Sequence, residues 1–229
     1  MRNTYLKRKS STYIKFWSGD YLVVSALQRD LVSNCALLTG NLLDLGCGNS
    51  PYREWLVNIQ SYVAYDVDVL GGLPEVVGIS ETLPFKSDSF DSILCTQVLE
   101  HVPRPWLTMA EIFRVLKPNG RLLLSVPQSW RLHEQPHDFY RYTRFGLQSL
   151  CDQANLSIEK ILPQGGAWAL IGQNINNTIW RSSIKKFTVS WYFRVVISIL
   201  SNTIFGSLDK LDQDTDDTLN YVVLARKLV

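Results

Sequence analysis

Residues 42–51 read LLDLGCGNSP, an apolar run that stops in two glycines, a cysteine, an asparagine and a proline. Gly46 and Gly48 remove two side chains from the turn and permit positive φ, so a ligand can pack against bare backbone. Ser50 before Pro51 predicts an N-cap with proline at the first helical position, and hence a helix over 51–59. Strand, glycine turn and helix in succession form the ligand-binding corner of an open α/β sheet, where ligands lie beyond the carboxyl ends of the strands.

The flanking sequence agrees. NLLDLG (41–46), SYVAYD (61–66), EVVGI (75–79), DSILC (91–95) and RLLLSVP (121–127) read as strands. Their doubly apolar character predicts burial on both faces, as in a parallel sheet covered by helices. Residues 105–116 place Leu107, Ala110, Phe113, Val115 and Leu116 near helical spacing, and KPNG (117–120) reads as a helix stop and turn. A helix over 144–155, a strand over 156–162 and a last strand LNYVVLARK (219–227) complete a doubly wound α/β pattern.

Composition narrows the function classes. The net charge of +2 on 229 residues is far from the basic excess of a general nucleic-acid binder, so no nucleic acid is expected as partner. Cys35, Cys47, Cys95 and Cys151 lie far apart, which argues against a metal site and a disulfide framework and fits a reducing, cytoplasmic compartment. The N-terminus is basic (Arg2, Lys7, Arg8, Lys9, Lys15), but no continuous apolar run follows, so a cleaved signal peptide is not expected.

The ligand is a nucleoside cofactor on this reading. The second strand ends in YDVD, which places Asp66 to accept hydrogen bonds from a ribose diol. The dinucleotide fingerprint G-x-G-x-x-G fails, because its third glycine falls at Pro51. Asp44, two residues before the glycines, would repel a pyrophosphate and attract a cofactor with an ammonium and a sulfonium.

LPFKSDSFDSILCTQVLEHV (83–102) and RVLKPNGRLLLSVP (114–127), together with LLDLGCG and YDVD, resemble the class I S-adenosylmethionine-dependent methyltransferases of the methyltransferase-11 type. HEQPHDFYRYTRFGL (133–147) is similar to a subset of that family found with surface-polysaccharide genes. The resemblance implies a Rossmann-like, doubly wound seven-stranded sheet with the last strand antiparallel, helices on both faces, and S-adenosylmethionine as cofactor. Asp44, Gly46, Cys47 and Gly48 would line its methionine part, Asp66 would hold the ribose, Val67 would lie beside the adenine, and Gln97 would approach the methionine moiety. An acidic residue expected near the adenine aligns with Ile79, and Glu81, two residues on, is the candidate in its place. The family's further glycine is replaced by Asn49 or Ser50.

Oxygen acceptors need a general base, for which His133 and His137 are the candidates. Asp138, Tyr140, Arg141 and Tyr142 would line the acceptor, with an Asp138–Arg141 pair locking a loop as the structural alternative. His101 could equally satisfy loop backbone. The expected acceptor is a glycan or lipid-linked saccharide hydroxyl. C-methylation of a lipid quinone is the enzymatic alternative, and a non-catalytic S-adenosylmethionine-binding protein the alternative of another class. A nicotinamide dehydrogenase is disfavoured by Asp44 and Pro51.

Four segments are expected: an N-terminal helical cap (1–40), the cofactor-binding core (41–165), a hydrophobic helical insertion (166–217) and the final strand (218–229). Within the insertion, TVSWYFRVVISILSNTIFGSL (188–208) has the length of a membrane span. A polar stripe of Ser190, Arg194, Ser198, Ser201 and Asn202, and a final strand that must rejoin its sheet, oppose that reading. A lid, a dimer face or a peripheral membrane contact through 180–208, anchored by Trp180, Trp191, Arg181, Lys185 and Lys186, is expected instead. DKLDQDTDD (209–217) reads as a solvated loop.

Overall fold

The computed structural model describes residues 13–69, 72, 74–181, 191–212 and 214–228. The expectations for Arg2, Lys7, Arg8, Lys9, Lys185, Lys186 and Ser190 lie outside the described residues. Helix α1 (Tyr21–Cys35) precedes β1 (Gly40–Leu45), β2 (Ile59–Asp66), β3 (Val76–Val77) and β4 (Phe90–Thr96). Then follow α2 (Pro105–Val115), β5 (Leu116–Pro127), α3 (Arg144–Gln153), β6 (Leu156–Gln164), α4 (Ala167–Arg181), α5 (Trp191–Leu211) and β7 (Asn220–Lys227).

The strands form one seven-stranded sheet in the order β3-β2-β1-β4-β5-β7-β6. Strands β1 to β5 pair in parallel, and β7 lies antiparallel between β5 and β6. Alternation along each strand divides the core in two. Leu43, Leu45, Ile93, Leu122 and Leu124 pack with Met109 and Ile112 of α2 and Leu147 of α3. Leu42, Leu94 and Leu123 point the other way, onto Leu27, Leu31 and Cys35 of α1. Apolar residues at successive positions therefore serve opposite faces, which is why these strands read as unbroken apolar runs.

Two local expectations are corrected. No helix fills 51–59. The chain makes one short 3₁₀ turn at Arg53–Trp55, and β2 begins already at Ile59, opposite Gly40. Ser50 does not cap a helix there: it sits at φ 52°, and its N–H donates to the Cys47 carbonyl at 2.7 Å. KPNG is likewise not a free turn. Leu116 already pairs with Phe90, and the residues up to Arg121 bulge out of the ladder around Asn119 at φ 66°.

The helices of the insertion stack on α1 rather than stand free. Val23 N–H donates to Gln173 of α4 at 3.2 Å, and Gly172 lies so close to Leu22 and Phe205 that a Cβ there would collide with both. Two of the aspartates read as a solvated loop have structural partners. Asp209 accepts from the Gly166 and Ala169 N–H groups at the start of α4, and Asp212 accepts from the Trp168 indole at 3.0 Å. No helix among the described residues is long and apolar enough to cross a membrane.

Candidate cofactor pocket and acid–base cluster

The carboxyl ends of β1, β2, β4 and β5 share one edge of the sheet, and both halves of the candidate site lie there. In the turn after β1, Gly46 (φ 73°) leaves no room for a side chain: a Cβ would fall 2.2 Å from Val98, just beyond β4. Gly48 (φ 51°) is the opposite case, since a Cβ there would meet nothing within 4 Å. The first glycine is demanded by packing, while the second opens onto empty space at the strand ends.

The Asp66 carboxylate spans this space. One oxygen accepts from the Gly48 N–H at 2.7 Å and the other from the Val67 N–H at 2.7 Å. Each oxygen keeps lone-pair capacity for a diol. Val67 and Ile79, both exposed, leave apolar surface beside it, suited to an adenine. Glu81 is engaged elsewhere, since one of its oxygens accepts from Arg104 Nε at 2.9 Å.

Asp44 is buried and accepts from the Tyr62 hydroxyl. Burial pushes its carboxyl up to about 7, the Tyr62 bond opposes this, and Asp66 adds to the rise. A carboxyl so poised would be drawn into its ionised form by a nearby ammonium. Cys47 contributes backbone only: its side chain is buried, its N–H donates to the Tyr65 carbonyl at 3.1 Å, and burial holds its thiol up at about 12. Gln97, at the end of β4, sits at φ 55° with its N–H on the Ser125 carbonyl. Such a strained non-glycine backbone is held by its surroundings and marks the strand-end edge.

The second half is built by two loops. Leu99–His101 form a 3₁₀ turn after β4, and residues 128–142 return over it after β5. Arg141 secures the return: it grips Asp138 with two nitrogens at 2.7 and 2.8 Å and donates to the carbonyls of Trp130 and Arg131. Asp138 is thereby held well below the usual carboxylate range, with the Arg141 bonds the largest cause. It also accepts from the His133 backbone N–H and lies 3.2 Å from His133 Nδ1. The Tyr142 ring is buried and its hydroxyl donates to the Leu99 carbonyl at 2.8 Å, while the Tyr140 hydroxyl donates to Pro103 at 3.0 Å.

These contacts engage the polar groups of Asp138, Arg141 and Tyr142 in building the loop. His137 meets the cluster through its backbone. It is an exposed residue whose carbonyl lies 2.5 Å from His101 Nδ1. That carbonyl can only accept, so the contact calls for a proton on Nδ1 and turns Nε2 toward Glu100 and Glu134. His133 lies edge-on to His101 with ring centroids 4.6 Å apart, and burial, with His101 and Arg141 next to it, lowers its pKa against the pull of Asp138.

Beneath the two rings is Glu100, fully buried, with neither carboxylate oxygen hydrogen-bonded. Burial pushes its carboxyl up to about 8. Its Oε1 lies 3.8 Å from His101 Nε2, and Glu134 approaches the same nitrogen at 3.8 Å. Ligating atoms of Glu100, His101 and His133 all fall within 4.8 Å of one another. No metal site is visible in the cysteine pattern, yet this trio has the donors to hold either a proton or a divalent ion. Sequence reasoning placed His133 here and gave Glu100 and His101 a loop-backbone reading at the start of the next helix. The available signal was their shared place just after a strand end.

Residues 43–124 match the family described as a methyltransferase domain. An uncharacterized methyltransferase of Mycobacterium tuberculosis is 54% identical over 43 residues, 19% of this chain and 17% of that protein. A ubiquinone biosynthesis O-methyltransferase of Xanthomonas oryzae is 32% identical over 132 residues, covering 48% of this chain and 55% of the relative. The chain thus spans from about a sixth to little over half of these curated relatives. Among solved structures, an S-adenosylmethionine-dependent methyltransferase from Mesorhizobium loti superposes with TM-score 0.56 at 14% identity, over 90% of this chain and 99% of that one. The [4+2]-cyclase SpnF superposes with TM-score 0.58 at 18% identity, over 91% and 84%. Residues 43–124 thus match a methyltransferase-domain family, carried on a sheet with the fold of these solved structures.

Proposed function

We propose that the protein is an S-adenosylmethionine-dependent methyltransferase acting on an oxygen nucleophile, with a glycan or lipid-linked saccharide hydroxyl as acceptor. The observation that carries this reading is the Asp66 carboxylate bridging the Gly48 and Val67 N–H groups beside the open space at Gly48. The residues present fit the cofactor: Asp66 for the ribose, Val67 and Ile79 for the adenine, and the poised carboxyl of Asp44 for the ammonium. When bound, the cofactor supplies a methyl group on a sulfonium, whose sulfur departs as a neutral thioether.

The protein's part is then to position the acceptor and take its proton. His101 is the base. Its Nδ1–H is fixed on the His137 carbonyl, so Nε2 receives the hydroxyl proton as the oxygen attacks. The Glu134 carboxylate faces that nitrogen at 3.8 Å, and the buried Glu100 carboxyl stands at the same distance. His133, held by Asp138, packs against the ring and fixes its plane. Asp138 and Arg141 are positioning residues.

A second reading, methylation of a lipid quinone or its phenolic precursor, is favoured by the partial likeness to ubiquinone biosynthesis O-methyltransferases. The test is transfer of labelled methyl from S-adenosylmethionine to lipid-linked saccharides and to prenylated phenols, in wild type and His101→Ala. Labelled saccharide, with turnover falling on the order of 10²–10⁴-fold in the variant, is expected. Labelled phenol alone would establish the second reading. Cofactor binding without transfer to either would leave a binding protein, and the SpnF likeness shows that this fold also serves an enzyme named as a cyclase.

A further inference from the structure

Helix α5 is built inside out. Its buried residues are Ser198, Ser201 and Asn202, whereas Trp191, Tyr192, Phe193, Val196, Leu200 and Ile204 are each half exposed or more. The inward polar stripe is satisfied. Asn202 donates to the Phe16 and Ser18 carbonyls and accepts from Asn176, Ser201 donates to the Gly172 carbonyl, and Ser198 accepts from the Trp180 indole. Because those bonds lock the polar side against α4 and the 16–18 segment, the apolar side can only face outward. Phe16 and Trp17, also exposed, come from the segment that Asn202 holds.

Charge identifies what this face meets. From Lys160 to Leu208 the chain has no acidic residue, and in sequence Arg181, Lys185, Lys186 and Arg194 flank the aromatic start of α5. In sequence, residues 1–15 before Phe16 and Trp17 carry Arg2, Lys7, Arg8, Lys9 and Lys15 and again no acid. The acids cluster at the opposite end of the helix, in Asp209, Asp212, Asp214, Asp216 and Asp217. An apolar face with tryptophan and tyrosine at one end and basic, acid-free flanks matches the interfacial zone of an anionic bilayer.

We infer that the exposed face of α5, with the Phe16–Trp17 segment, docks the protein on an anionic lipid surface. The inference stands apart from the cofactor reading and shortens the path to a lipid-linked acceptor if that reading holds.

The experiment is flotation at physiological salt with neutral phosphatidylcholine vesicles and with vesicles containing phosphatidylglycerol. Wild type, Tyr192→Ser/Phe193→Ser and Lys185→Gln/Lys186→Gln are compared, and S-adenosylhomocysteine titration without lipid reports the cofactor site separately. Wild type is expected to float with the anionic vesicles only. The lysine variant should bind on the order of 25-fold more weakly, and the aromatic variant should stay with the lipid-free fraction while retaining its circular dichroism. Absence of flotation with both vesicles, equal flotation with both, or a wild-type dimer that the aromatic variant turns into a monomer would each overturn it.

Discussion

Helices α1 and α5 are both amphipathic and sit on the same side of the molecule, yet they face in opposite senses. Helix α1 buries Leu22, Val23, Ala26, Leu27, Leu31 and Cys35, and its apolar stripe is the reason it lies on the sheet. Helix α5 buries serines and an asparagine and turns its aromatic and aliphatic residues outward. Periodicity specifies that a stripe exists and how wide it is. Which side faces inward depends on what the neighbour offers. Helix α1 meets Leu42, Leu94 and Leu123 of the sheet, and α5 meets backbone carbonyls and the side chains of Asn176 and Trp180. One helix is held by removal of apolar surface from water, the other by satisfied polar groups that leave an apolar surface over.

The largest expected effects separate these two modes directly. Leu31→Ala, at a fully buried position, should cost roughly 2–5 kcal/mol in chemical denaturation, whereas Ile204→Ala on α5 should change stability by less than about 0.5 kcal/mol. Equal losses would mean that the outward face of α5 is covered within the protein. Asn202→Leu comes next. It leaves the Phe16 and Ser18 carbonyls and the Asn176 amide without their partner, and should cost roughly 1–3 kcal/mol, although leucine is the more apolar residue. A stabilised variant would show that the polar stripe is incidental.

A smaller, pH-dependent effect belongs to the acid–base cluster. The Glu100 carboxyl is raised from 4.5 to about 8 by burial, so the stability it contributes is complete below about 4.5 and is lost as the pH rises through about 8. Wild type should therefore lose more thermal stability between pH 5 and pH 9 than Glu100→Gln does. Parallel melting curves would place Glu100 in contact with a compensating charge. The smallest change is expected from Arg104→Ala, which removes an ion pair to Glu81 whose arginine is more than half exposed. A loss of under 1 kcal/mol is expected, and a larger one would give Glu81 a structural part in the pocket.

Much of this was legible before folding. The strands were visible because each buries residues on both faces, and the glycine turn because bare backbone at a strand end has few other uses. Asp66 could be placed from its position at the end of the next strand. What failed did so for reasons of geometry. The helix over 51–59 is absent because β2 already pairs at Ile59 with Gly40, which leaves room for only a short 3₁₀ turn. Glu100, His101 and His133 are brought together by a loop that Arg141 staples, and nothing in the spacing of residues 101 and 133 announces that contact. The strained backbone of Gln97 is equally invisible in a string of letters. The polar stripe of α5 was readable, but its inward orientation was not, because it rests on partners as distant in sequence as Phe16.

The central claim is that the turn after β1, closed by Asp66, is a nucleoside-cofactor site. Calorimetric titration with S-adenosylhomocysteine tests it most directly, with NAD as competitor and Asp66→Ala beside the wild type. Saturable 1:1 binding of S-adenosylhomocysteine alone, weakened on the order of 10–100-fold in the variant by the loss of charge-assisted hydrogen bonds to the ribose, is the predicted result. Folded wild-type protein that fails to bind it, or that binds NAD equally well, would contradict the account.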